Sequence, residues 1–351
     1  MQLYNLEFTE DEIRAAAAAD RLLSMEIEFS RECNFRCAYC YLEERTVAAG
    51  EMSRQEIKEV ILQAKELGAR KIIILGGEPS IYPHLIEMLR FLGELGLEIE
   101  MFTNGSGVTD ELAAVLAEER VRVVVKMNSR DAAIQDHLAG KKGACEIIDQ
   151  ALERLHRAGY PSEELFLAAS TVICRQNLAE LVELWQWLRS QCIEPYFEIL
   201  TTQANALRNT WLDVEAAELR ELFTRLAALD RERFGREWEP QPPLVGNRCM
   251  RHQVSCVVTA VGDVMPCVGV TIPLGNVRNQ RLADILKNSE VVRNLKKYRE
   301  TIKGPCGTCE KSEECYGCRG AAYQMTGDYL ASDPTCWHNS TNGRVEGWPG
   351  R

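Results

Sequence analysis

The sequence predicts an α/β fold built on a parallel sheet, with a smaller loop-rich segment held by metal behind it. Three observations predict it. Between residues 25 and 200, short β-rich apolar runs alternate with amphipathic helical stretches. Three prolines in EPQPPLVGN, 239–247, then break that alternation. Beyond them, long periodic elements give way to loops carrying eight of the chain's 14 cysteines.

The elements follow in order. Residues 9–22 read as a helix, with Thr9 and Glu12 spaced as a capping box. Strands are expected at SMEIEFS (24–30), KIIIL (71–75), EIEMFT (98–103), VRVVVKM (121–127), LFLAASTVI (165–173) and PYFEIL (195–200). Helices lie between them, such as 53–67, where Ser53 and Glu56 form a second capping box, and 177–190, with Asn177 as its cap and Glu180 following. Six strand–helix units in series require a parallel sheet. Periodicity alone leaves open whether that sheet curls into a partial barrel or stays open. In either case the loops after the strands form the ligand-binding end. A helix-rich stretch follows at 213–234. The expected division is therefore an extension helix at 1–24, the sheet and linking helix at 25–238, the cysteine-dense domain at 239–340 and a poorly ordered tail at 341–351.

Composition excludes several classes. With 46% hydrophobic and 26% charged residues in 351, the chain has an ordinary globular make-up. A net charge of −11 argues against nonspecific nucleic-acid binding. The longest apolar runs, IIIL at 72–75 and AAAAA at 15–19, are too short to cross a bilayer, and the N-terminus lacks the layout of a secretory signal. The expectation is a cytoplasmic protein with no membrane partner. In a reducing compartment, clustered cysteines point to metal rather than to disulfides.

CNFRCAYC, 33–40, places three thiols on one short loop. They can hold three corners of a cubane iron–sulfur cluster, which normally takes four cysteines, and leave one iron for another ligand. A structural zinc would need a fourth protein ligand. The stretch resembles the C-x3-C-x-Φ-C signature of the radical S-adenosylmethionine (SAM) superfamily, with Tyr39 as Φ. That resemblance implies a partial (β/α)6 TIM-like barrel in which Cys33, Cys37 and Cys40 bind a [4Fe–4S] cluster. It implies that SAM chelates the open iron and is cleaved by one electron to a 5′-deoxyadenosyl radical that abstracts hydrogen from substrate. GGEP resembles the family's GGE motif, so Gly76, Gly77 and Glu78 are expected along SAM's methionine end. Thr103 and Asn104 of TNG are expected near the ribose, Tyr39 against the adenine, and Asn128 and Glu198 in the same pocket. The family's serine on the fourth strand is replaced by Lys126, and a downstream arginine by Ala139. Lys126 is expected to meet SAM's carboxylate, the other reading being a lysine snorkelling from a strand end.

The C-terminal pattern is C-x12-G-x4-C (Cys249, Gly262, Cys267), then C-x2-C-x5-C-x2-C, then the cysteine of DPTC. It resembles the SPASM auxiliary iron–sulfur domain, its last part being most similar to enzymes of pyrroloquinoline quinone and haem-type cofactor maturation. The resemblance assigns Cys249, Cys256, Cys267 and Cys318 to a first auxiliary cluster. Cys306, Cys309, Cys315 and Cys336 go to a second, making three [4Fe–4S] clusters in all. A zinc ribbon is the other reading of C-x2-C-x5-C-x2-C. Cys145, Cys174 and Cys192 read as small buried hydrophobes.

Two auxiliary clusters favour a net oxidation. Val268 stands where sulfatase-maturing relatives carry an aspartate, so that activity is not expected. The resemblance implies a peptide or protein side-chain maturase. The alternatives are an enzyme acting on an aminoglycoside, nucleoside sugar or tetrapyrrole, and a noncatalytic electron carrier. The short N-terminus leaves no room for the winged-helix module of many peptide maturases. Expected partners are the substrate and an electron donor such as flavodoxin or ferredoxin.

Overall fold

The computed structural model describes residues 8–43, 46–47 and 49–339. Strands β1 (Ser24–Glu28), β2 (Lys71–Leu75), β3 (Glu98–Thr103), β4 (Arg122–Lys126), β5 (Leu167–Ile173) and β6 (Glu194–Ile199) pair in parallel, each with its neighbour in the chain. Helix α1 (Glu10–Ala18) precedes the sheet. The crossovers are α2 (Arg54–Glu66), α3 (Leu85–Glu94), α4 (Asp110–Glu118), the pair α5 (Ala132–Ala139) and α6 (Ala144–Arg157), and α7 (Leu181–Ser190). Both anticipated capping boxes form, at Thr9–Glu12 and at Ser53–Glu56. The tail expected at 341–351 lies outside the described residues, as do residues 1–7 of the extension.

Asn177 departs from its expected role. Its side chain is fully buried and ties three backbone groups together, accepting from Cys174 N at 2.9 Å and donating to Asn128 O and Val172 O at 2.9 and 3.0 Å. A 3-10 turn over Leu178–Glu180 takes up the chain, and α7 begins only at Leu181.

The six strands form a partial (β/α)6 barrel that does not close on itself. Its sheet runs β6-β5-β4-β3-β2-β1 and then continues into β7 (Val257–Val258), β8 (Asp263–Met265) and β9 (Gly275–Asn276) from the C-terminal segment. Strand β7 joins β1 in parallel, while β8 and β9 form an antiparallel ribbon beyond it. The proline-rich stretch runs along the other edge: Ile199 N donates to Pro243 O and Val245 N to Phe197 O, both at 3.0 Å. Both sheet edges are thus covered by chain that follows the barrel, the usual remedy for unpaired strand groups.

Alternation along the strands sorts the side chains into two layers. Met25, Ile27, Ile72, Ile74, Ile99, Met101, Val123 and Val125 face the helices and join the main core. The opposite face holds charges in pairs. Lys71 and Arg122 flank Glu100 at 3.2 and 3.3 Å, and Arg251 from α10 (Arg251–Val254) reaches Glu26 at 2.9 Å. After β6 the chain forms α8 (Asn205–Arg208) and α9 (Ala216–Phe234). The C-terminal part adds the short helices α11 (Leu282–Asn288), α12 (Glu290–Lys296), α13 (Tyr298–Thr301) and α14 (Arg319–Thr326). Among the described residues no helix is long and apolar enough to cross a membrane.

Candidate functional site

The loop after β1 carries Cys33, Cys37 and Cys40 over the carboxyl ends of the strands. Three neighbouring segments hold its backbone. Gly77 N and Glu78 N donate to Ser30 O and Glu32 O at 2.8 and 2.7 Å; Arg36 N and Ala38 N donate to Ala139 O and Leu138 O at 3.0 Å each. Asn205 Nδ2 reaches Cys37 O at 3.2 Å and Asn209 Nδ2 reaches Ala38 O at 2.9 Å. Ala139, where the arginine is missing, is buried against Phe35 and Ala144 under the same loop.

The glycines of GGEP pack directly against the cysteine loop. A Cβ on Gly77 would stand 2.0 Å from Glu32 O, and one on Gly76, at φ +127°, would stand 2.3 Å from Ser30 O. Their bareness admits the cysteine loop itself. Glu78 is buried, and its carboxylate accepts from Ser80 N at 2.8 Å, from Asn104 N at 2.6 Å and from the Thr103 hydroxyl. It ties the loop after β2 to the loop after β3. Burial raises its pKa, opposed by those hydrogen bonds. Asn104 passes the connection on, donating to Asn34 Oδ1 at 3.1 Å and lying 3.8 Å from Cys33 Sγ.

Tyr39 lies beside the Cys37 thiol, and its hydroxyl accepts from Asn128 Nδ2 at 2.6 Å. Asn128 is fully buried, and its Oδ1 accepts from Val172 N at 3.0 Å. It thereby ties Tyr39 to β5. Lys126 Nζ stands 5.1 Å above the Tyr39 ring, donates to Ser170 Oγ at 3.0 Å and lies 3.6 Å from Glu198 Oε1. The two residues are therefore neighbours at the pocket, and Lys126 is turned inward rather than out to solvent. Burial pushes the Cys33 thiol up to about 11 and Cys37 to about 12. Neutral thiols in this setting need a cation's charge before they ionise, as metal ligation supplies.

The C-terminal cysteines form separate groups. Cys306, Cys309, Cys315 and Cys336 line one cavity with Pro242 and Asn339. Cys249, Cys267 and Cys318 stand near one another: burial first, then the charge of the Cys249 thiol, push Cys267 up to about 12, and Cys318 is raised by burial with smaller contributions from Cys267 and Cys249. Gly269 and Gly320 hold Cys267 to Cys318, since a Cβ on Gly269 would meet Gly320 Cα at 2.7 Å. Backbone amides point at the sulfurs: Gly317 N at Cys315 (3.3 Å), Ala321 N at Cys318 (3.3 Å), Lys311 N at Cys309 (3.5 Å) and Asp333 N at Cys306 (3.4 Å). Such donors suit sulfur that carries negative charge, as cluster ligands do. Among the described residues no three Cys, His, Asp or Glu side chains converge on one ion. Cys256 stands apart from both groups.

The Radical SAM superfamily model matches residues 27–188, from β1 through α7, and the SPASM model, an iron-sulfur cluster-binding domain, matches residues 249–318. The chain carries a radical SAM domain followed by a SPASM domain. Its relatives include an AdoMet-dependent heme synthase of Methanosarcina barkeri, 28% identical over 92% of this chain and 97% of the relative. A PqqA peptide cyclase of Methylocella silvestris is 28% identical over 88% of this chain and 86% of its own. In structure the fold resembles Streptococcus suis SuiB bound to its precursor peptide SuiA, with a TM-score of 0.71 at 17% identity over 92% of this chain and 79% of that one.

The radical SAM domain and the SPASM segment are joined through Glu28. Tyr41, directly after Cys40, donates to Glu28 Oε1 at 3.0 Å, and Ala260 N, just beyond β7, donates to Glu28 Oε2 at 3.0 Å. Sequence patterns missed this carboxylate, and also Asn34, Asn205 and Asn209. A single acid in an apolar strand and asparagines in loops carry no spacing signal. Of the three cysteines expected to be buried hydrophobes, Cys174 is buried, Cys145 is half-buried and Cys192 is exposed. Cys192 follows the end of α7 with φ 56°, a tight turn that turns its side chain outward.

Proposed function

We propose that this radical SAM enzyme removes hydrogen from an unactivated position of its substrate and completes a net oxidation by drawing the remaining electron into the SPASM segment. The observation that carries this reading is the shared sheet. Strand β7 pairs with β1, and the Glu28 bridge joins the residue after Cys40 to Ala260, two residues beyond β7, so both cysteine regions hang from one strand.

In this reading Cys33, Cys37 and Cys40 hold a [4Fe–4S] cluster, and Cys306, Cys309, Cys315 and Cys336 hold an auxiliary one. A further cluster would be held by Cys249, Cys267 and Cys318, with Cys256 the fourth ligand that the sequence pattern assigns. The cluster that Cys33, Cys37 and Cys40 would hold would supply one-electron reductive chemistry to a bound SAM. The chain's own residues do the rest. Tyr39, fixed by Asn128, walls the nucleoside pocket; the Gly76–Gly77 backbone and the Thr103–Asn104 loop, braced by Glu78, shape its floor. Lys126, paired with Glu198, offers a cation to SAM's carboxylate. Buried side chains beneath keep water from the pocket. An external donor such as flavodoxin or ferredoxin supplies the electron.

The substrate we assign is a peptide or protein side chain, supported by the names of the PqqA peptide cyclase and mycofactocin maturase relatives and by the peptide bound to SuiB. A tetrapyrrole is the second reading, favoured by the heme synthase, which the chain matches over 97% of that protein's length. Anaerobic reduction with SAM tests the first step: 5′-deoxyadenosine should form, and its absence with several reductants would leave only an electron carrier. Repeating the assay with a precursor peptide and with an iron tetrapyrrole separates the substrates, the true one raising turnover and changing mass.

A further inference from the structure

The face of the sheet turned away from the helices carries charge, and its cations are matched unequally. Glu100 takes both Lys71 at 3.2 Å and Arg122 at 3.3 Å, so these three side chains settle one another. Lys126 lies 3.6 Å from Glu198 Oε1 and donates to Ser170 Oγ at 3.0 Å. Arg251 is different. Its Nε stands 2.9 Å from Glu26 Oε1, and its side chain keeps 27% of its surface exposed while that of Glu26 keeps 1%. Among the described residues its terminal nitrogens Nη1 and Nη2 donate no hydrogen bond, yet neither is sealed off, whereas both oxygens of Glu26 are.

The surroundings of that guanidinium are specific. Arg251 opens α10, two residues after Cys249. Glu26 on β1, Tyr196 and Glu198 on β6 and the Cys249 thiol all act on its charge. Strands β1 and β6 are the two ends of the six-strand barrel sheet, so Arg251 stands between ends that the sheet itself does not join. On one side Glu198 leads to Lys126, which lies 5.1 Å from the Tyr39 ring of the front cysteine loop. On the other, Cys249 packs with Tyr196 and Leu244 on the inner face. Arg251 thus lies between the expected SAM pocket and the first auxiliary cysteines. A molecule that gives hydrogen to one and an electron to the other has to lie there too.

Burial opposes the charge of Arg251, but Glu26 and its neighbours outweigh it, and the guanidinium stays cationic. Arginine presents its N–H groups as a planar fork that matches the two oxygens of a carboxylate. With Nε turned to Glu26, the outer nitrogens remain for a second carboxylate.

We propose that Arg251 is a substrate anchor, whose terminal nitrogens take a carboxylate of the substrate while Glu26 aims them. The anchor rests on the reading above that the substrate lies between the two cysteine regions, and it narrows that substrate to one carrying a carboxylate. An acidic side chain of a peptide and a propionate arm of a tetrapyrrole are the two sources of that group.

The test is equilibrium binding to the anaerobically reconstituted protein with SAM present, which needs no turnover. Two matched pairs serve as probes: acetyl-Ala-Glu-Ala amide against its Gln counterpart, and protoporphyrin IX against its diamide. In one pair the acid should bind about tenfold more tightly than the amide, the worth of a charge-assisted hydrogen bond, and the pair with the larger preference names the source. Arg251→Gln should bind acid and amide alike, and Arg251→Lys should recover part of the preference. Because Arg251→Gln strands Glu26 in the interior, Glu26→Gln/Arg251→Gln, which removes both charges, should show the same loss with iron content unchanged. Glu26→Gln alone keeps the cation and should still prefer the acid. A preference that survives Arg251→Gln, or no preference in the unaltered protein with either pair, would overturn the anchor. Failure to form 5′-deoxyadenosine would instead sink the radical reading and leave these binding constants standing.

Discussion

The front and back cysteine regions are built in opposite ways. The front loop rests on five-to-seven-residue strands, and its backbone is held by hydrogen bonds from Gly77, Glu78, Asn205 and Asn209 and by bonds to Leu138 and Ala139. The back rests on strands of two and three residues and helices of four to eight, and its thiols line a cavity or face one another. The front loop keeps its shape through hydrogen bonds to the neighbouring protein segments. A site that keeps its metal can borrow stability from it.

Stripping the metal should expose that contrast most strongly. After anaerobic chelation, amides in 249–339 should lose nearly all protection from hydrogen exchange, while the β1–β6 amides keep theirs. Equal loss in both regions would break the comparison.

Acid should separate them next. Burial, helped by Arg319 and Arg251, lowers His252 to about 3, so the folded protein keeps it neutral. Between pH 6.5 and 3 the unfolded chain binds a proton that the folded one does not, so stability from His252 is full above 6.5 and falls as the pH drops. The loss should reach about 3 kcal/mol by pH 4 and vanish in His252→Phe, as followed by hydrogen exchange in α10 and its neighbours. Glu78 pulls the other way: burial raises it, so its contribution improves as pH falls through its folded pKa.

Replacing Glu78 by Gln removes charge from an acceptor serving three donors and should cost the barrel about 2 kcal/mol in denaturant melts. Iron at the back should not change. The smallest expected effect is Asn128→Ala, which frees Tyr39. SAM should bind about fivefold more weakly, the worth of roughly one hydrogen bond, with iron content unchanged. If SAM affinity held and iron fell instead, Asn128 would be serving the cluster loop rather than the nucleoside wall.

The barrel was legible because its strands are long enough to alternate. KIIIL and EIEMFT became β2 and β3 with the predicted bounds, and both capping boxes formed. Strand β7 was not legible: two residues cannot show a period, and its partner β1 is more than 200 residues earlier. Side chains that bind backbone at a distance were equally silent. Asn177 resembled a cap because asparagine often is one, yet its amide was needed between β4 and β5. Glu78 and its two glycines stood out by motif, while their contacts to the neighbouring loops did not.

Glu28 has a consequence for timing. One carboxylate grips Tyr41 on one side and the chain beyond β7 on the other, inside a continuous hydrogen-bonded sheet. For the electron transfer proposed above, the gap between the two ends would thereby be set when the protein folds, with no hinge for it to wait on. Electron passage along this route should be indifferent to solvent viscosity.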